Sequence, residues 1–104
     1  MAFFLHNRTR SEERLAKLAK RIAERSYAEV IKRIDGMVPD MSPSEARGYI
    51  RARAALVVHR EVNRALHRER RLKASERAKL ITLVTEAIVE AVGDQNRMQR
   101  PIAA

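Results

Sequence analysis

The sequence predicts an all-α protein: three helices in an up-down-up arrangement, with a long central helix, pairing as a homodimer. Three observations predict the helices. Apolar residues recur at steps of three and four in three long stretches. The three glycines and three prolines among 104 residues mostly mark where those stretches begin and end. No segment alternates apolar and polar residues convincingly, as a half-buried strand does.

The first helix is expected over about residues 10–35. Thr9 and Ser11 are candidate N-caps, and Glu12 and Glu13 suit the positive end of the helix dipole. Leu15, Leu18, Ala19, Ile22, Ala23, Tyr27, Val30, Ile31 and Ile34 keep helical spacing, and Gly36 stands where a C-terminal glycine is favoured. The second helix is expected over about 43–73. Ser42-Pro43-Ser44-Glu45 matches a capping box, with proline at the first helical position, where its missing N–H costs nothing. Only Gly48 then interrupts a run without breakers up to Lys73.

A third helix is expected over about 76–92, capped by Ser75 after a tight link and closed at Gly93. Leu80, Ile81, Leu83, Val84, Ala87, Ile88, Ala91 and Val92 give it a wide apolar face. Residues 1–93 then form one helical domain and 94–104 a flexible tail. Because helix two outruns helix three, part of its apolar stripe should be left for a second copy to cover. Gly48 and Ala52, with Leu80, Val84 and Ile88, are the candidate helix-packing or dimer contacts. Glycine inside a helix costs about 1 kcal/mol against alanine, so a close approach of another helix would explain Gly48.

Composition limits the chemistry. Apolar residues make up 45% of the chain, enough to fold, and only Phe3, Phe4, Tyr27 and Tyr49 are aromatic, so the core must be aliphatic. There is no cysteine, which removes disulfides, thiolate metal sites and cysteine nucleophiles together. The opening MAFFLHNRTR lacks the features of a secretory signal, and no apolar run approaches the ~18 residues of a membrane span. A cytoplasmic location is expected. Phe3, Phe4 and Leu5 are expected either to fold back over helix one or to form a sticky arm.

Charge carries most of the functional information. The net charge is +9, of which +6 falls in residues 42–73. Within 59–73, HREVNRALHRERRLK, six cations face two anions. At roughly 100° per residue, Arg53, Arg60, Arg64 and Arg71 share one side of helix two, flanked by His67 and Arg68. Ala54, Ala55, Val58, Val62, Ala65 and Leu66 gather opposite. Leu56 and Val57 fall near the basic side, which predicts that the first half of the helix is covered on two faces.

Helix one looks self-neutralised, through Glu13 with Lys17, Lys20 with Glu24 and Glu29 with Arg33, whereas helix two offers Glu61 with Arg64 and Glu69 with Lys73 and little else. Arg60, Arg64 and Arg68 stand four apart and repel. The competing explanation is a solvated helix face whose cations complement the dipole at the C-terminus.

The ridge Arg53, Arg60, Arg64, His67, Arg68 and Arg71 is therefore the candidate anion site. Spaced phosphates fit it, because arginine forks bind phosphate bidentately. No motif for reading bases is present, so the expectation is a small non-enzymatic protein contacting a nucleic-acid backbone, or a regulatory one. The alternative is an adaptor or inhibitor that grips an acidic protein. No catalytic set, metal site or cofactor site is expected. His59 and His67 stand too far apart on one helix to share a metal, and Glu86 with Glu90 reads as a wet helix edge.

Overall fold

A computed structural model describes residues 10–34, 41–69 and 72–99. Helix α1 spans Arg10–Arg33, α2 spans Pro43–Arg68, and a 3₁₀ turn at Ala74–Glu76 leads into α3, Arg77–Gln99. The described residues contain no strand, and each helix packs against the other two.

The three amphipathic faces meet in one aliphatic core. From α1 come Leu15, Ile22 and Val30; from α2, Ile50, Val57, Val58 and Val62; from α3, Leu80, Val84, Ile88 and Val92. Tyr27 and Tyr49 only edge it, half-buried. Burial raises the pKa of the Tyr27 hydroxyl. Ser26 is the one buried polar side chain named within this core, and its hydroxyl donates to the Ile22 carbonyl at 2.7 Å, so no donor is orphaned.

The start of α2 follows its sequence signal. The Ser42 hydroxyl oxygen accepts from the Glu45 N–H at 3.2 Å and the hydroxyl donates to the Glu45 carboxylate at 2.9 Å, with Pro43 in the first turn. Thr9 and Gly36 lie outside the described residues. Ser11 sits inside the first turn of α1.

Three boundaries differ from expectation. Helix α2 stops at Arg68, not near Lys73, because Glu69 turns extended (φ −100°, ψ 90°). The sequence shows no breaker there; the half-buried Leu72 packs against the core, and leaving the helix is what brings it back. Tertiary packing overrides propensity at this point. Ser75 does not cap α3. The turn before α3 is instead closed by Glu76, whose carboxylate accepts from the Lys73 N–H at 3.0 Å while its own N–H donates to the Lys73 carbonyl at 2.9 Å.

The third difference is at Gly93, which does not end α3. The helix runs on to Gln99, just ahead of Pro101. Glycine weakens a helix without ending it, whereas proline disfavours helical geometry in the residue before it. Residues 94–99 are therefore helical and no tail begins at 94; residues 100–104 lie outside the described set.

These bounds remove the premise that the central helix is unusually long. Helices α1, α2 and α3 contain 24, 26 and 23 residues. Leu80, Val84 and Ile88 are 0% exposed and so serve the internal core, not an outer contact. Gly48 and Ala52 are exposed, and no atom lies within 4 Å of where a Gly48 Cβ would stand. Within this chain Gly48 admits no neighbouring helix. Of the two residues that disturbed the basic side of α2, Val57 is fully buried and Leu56 is 73% exposed, so only one is covered.

Candidate anion-binding groove between α1 and α2

The central ridge divides when the helices are assembled. Arg60 reaches across to α1, where its Nη1 donates to Glu29 Oε2 at 3.0 Å and its Nη2 donates to Glu29 Oε1. Its Nε also donates to Glu61 at 3.1 Å, and Glu61 accepts from Arg64 Nη1 at 2.9 Å. Arg33 joins Glu29 from the next turn at 3.4 Å. The result is one ladder, Arg33–Glu29–Arg60–Glu61–Arg64, that ties α1 to α2.

The expectation that Arg60 lacks an acid is thus corrected, while Arg64 pairs with Glu61 as expected. Arg60 is doubly matched, and half of that match comes from α1, where sequence neighbours alone do not reveal it. Of the expected pairs within helices, Glu29–Arg33 and Glu61–Arg64 form. Glu13–Lys17, Lys20–Glu24 and Glu69–Lys73 do not. Such exposed pairs gain little over the side-chain entropy they lose.

Hydrogen bonds from Arg60 first, and from Arg33, hold the Glu29 carboxyl down to about 2 against an ordinary 4.5. The Arg60 guanidinium is correspondingly pushed above its usual range by Glu29 first and then Glu61. A lowered carboxyl pKa means that the ladder stabilises the fold fully above pH ~5 and loses that contribution as pH falls toward 2. Glu29→Gln is expected to lower the urea midpoint at pH 7, with the gap to the parent protein closing by about pH 2. A gap independent of pH would contradict the assignment.

Beside the ladder lies a groove of about 100 Å³. Arg21 and Arg25 from α1 face Arg64 and Arg68 from α2, with Glu61 and Glu69 on the same rim. Its base is the buried Ile22 and Ala65 with the half-buried Leu18. Each arginine pair is spaced by four residues, which puts both members on one side of a helix. Among the described residues Arg21, Arg25 and Arg68 have no carboxylate partner and Glu69 has no cation, while Arg64 is held by Glu61. The groove is therefore lined by four arginines and two glutamates over an apolar base, a net surplus of two positive charges.

Of the six expected site residues, Arg64 and Arg68 line this groove and Arg60 braces its wall. Arg53 lies three turns away over the Tyr49 ring at 5.2 Å. His67 is exposed and outside the groove, and Arg71 is outside the described residues. Arg21 and Arg25 escape a reading of the sequence because Glu24 and Glu29 stand three and four residues on and look like their partners. A hint exists: Glu29 has arginines four residues away on both sides, and it cannot serve both while also meeting α2.

Among the described residues the other carboxylates offer no second site. Glu86, lowered in pKa by its hydrogen bonds from Arg51, is held bidentately by that residue at 3.0 and 3.1 Å. Arg77 donates to Asn63 at 3.0 Å. Among the described residues no three His, Cys, Asp or Glu side chains could hold a metal ion, and no helix is long and apolar enough to cross a membrane. No protein-family profile, curated protein or solved structure matches this chain.

Proposed function

We propose that this is a small, basic, non-enzymatic protein that binds the phosphate backbone of a nucleic acid through the α1/α2 groove, in a cytoplasmic and regulatory role. The observation that carries the reading is that Arg21, Arg25 and Arg68, from two helices, line one groove and form no ion pair among the described residues. Like charges brought together at a seam repel unless an anion joins them. Planar arginine forks suit phosphate oxygens. Among the described residues no aromatic side chain lines the groove, so they offer bases no stacking surface there.

In this reading the helices run up, down and up. Arg51 meets Glu86 while Asn63 meets Arg77, so residue numbers rise on α2 as they fall on α3. Glu29 meets Arg60 while Arg21 and Arg25 share a groove with Arg68, which gives the same sense for α1 and α2. The exposed stripe of Gly48, Ala52 and Leu56 is assigned to a second copy, making a homodimer with two grooves.

The test is an electrophoretic shift with DNA and RNA over a salt series. Each phosphate neutralised lowers affinity about 3.5-fold between 50 and 200 mM salt, with little dependence on sequence. Binding indifferent to salt would end this reading. One observation favours a second one: Leu56, 73% exposed, offers an apolar contact that a nucleic-acid backbone does not need. An acidic protein partner, captured even after nuclease treatment, would then replace nucleic acid.

A further inference from the structure

We infer that the groove is a seat for a single phosphate group, gripped jointly by Arg21, Arg25 and Arg68, so that the bound anion cross-links α1 to α2. The inference rests on the phosphate reading above and adds stoichiometry and geometry to it. Size comes first. Pockets for organic ligands run to ~300–1,000 Å³, whereas a water molecule occupies ~30 Å³ of liquid. A groove of about 100 Å³ lies well below that range and has room for one phosphate.

Charge comes second. Arg64 is already committed to Glu61 at 2.9 Å, and Glu61 is only 13% exposed, so that pair forms a fixed wall. The three uncommitted guanidiniums lie around the same small space and have one anion's worth of room to share. Glu69, on the rim without a cation, opposes that anion. The architecture comes third: two of the three arginines belong to α1 and one to α2. Occupancy therefore ties the helices together much as the Glu29–Arg60 pair does, and a ligand held only by the folded state stabilises it.

The phosphate could belong to a nucleic-acid backbone or to a free phosphate compound, and the arms of one experiment separate them. The dependence of nucleic-acid affinity on salt is measured for the parent protein, Arg21→Gln/Arg25→Gln and Arg21→Gln/Arg25→Gln/Arg68→Gln. Each neutralised phosphate contributes a slope of about −0.9 in log K against log salt on duplex DNA. A shared phosphate predicts that both variants lose about one such increment and no more. Losses of two and three increments, one for each arginine, would overturn the shared seat while leaving backbone binding intact.

In parallel, thermal unfolding is followed with sodium tripolyphosphate against sodium chloride at equal ionic strength. The seat predicts a rise in Tm that the double variant abolishes and Glu69→Gln enlarges. If no nucleic acid binds but this rise is present and depends on Arg21 and Arg25, the backbone reading fails and the seat stands, with a free phosphate compound as its ligand. A rise unchanged in the double variant, or no rise at all, overturns the seat.

Discussion

Leu80→Ala will lower the free energy of unfolding by about 2–5 kcal/mol, the range for emptying a well-packed leucine site. Leu80 is 0% exposed, in a core that among the described residues has few large side chains and no fully buried aromatic to relax into the space. Total stability of such a domain is about 5–15 kcal/mol, so the loss is a large share of it. At roughly 4–8 °C per kcal/mol for a domain near this size, Tm falls by about 10 °C or more.

Leu56→Ala is the matched control. At 73% exposure it falls within about 0.5 kcal/mol for an isolated protomer. In a homodimer built on the Gly48–Ala52–Leu56 stripe, the same change costs more as protein concentration rises. Denaturation at two concentrations, 20-fold apart, reads both effects. A Leu80→Ala loss below about 1 kcal/mol would mean that α3 is not docked as described.

Arg21→Glu/Arg25→Glu will weaken nucleic-acid binding roughly 100-fold at 50 mM salt, taking about 1.4 kcal/mol, or tenfold, for each reversed contact. The far-UV spectrum and Tm in the absence of ligand should stay close to those of the parent, because neither side chain has a partner among the described residues. Arg60→Glu separates the two roles. It sets a third carboxylate beside Glu29 and Glu61, so it destabilises the protein before any ligand is considered. Lys79→Glu, an exposed change on α3, alters binding less than about threefold. Equal losses from Lys79→Glu and the α1 double reversal would reduce the groove to bulk charge.

Much of the architecture is legible along the chain, because it is set by local rules. Ser42-Pro43-Ser44-Glu45 starts a helix by satisfying its own first-turn donors, and the spacing from Leu15 to Val30 turns one face inward. The end of α2 is not legible, since Leu72 is drawn back by residues far away in sequence. Gly93 misleads because glycine marks a stop only when the backbone there leaves the helix, and the stronger stop is Pro101.

The site is legible only in part for a related reason. Periodicity places Arg60, Arg64 and Arg68 on one side of α2, but it carries no information about what α1 lays alongside. That α1 brings an acid to Arg60 and two cations to Arg68 depends on how the helices are set against one another. Arg60 thereby becomes a brace, and Arg21 and Arg25 become the exposed charge.

Arginine side-chain resonances decide whether α1 and α2 share one cationic seat. Nitrogen-15 spectra of the Nε–Hε groups are recorded as tripolyphosphate is added. Arg21, Arg25 and Arg68 should shift together and saturate on one binding curve, while Arg60 and Arg51, already gripped by glutamates, stay put. Small, unsaturable shifts spread over every arginine, or a response led by Arg60 or Arg53 with Arg21 and Arg25 silent, would contradict it.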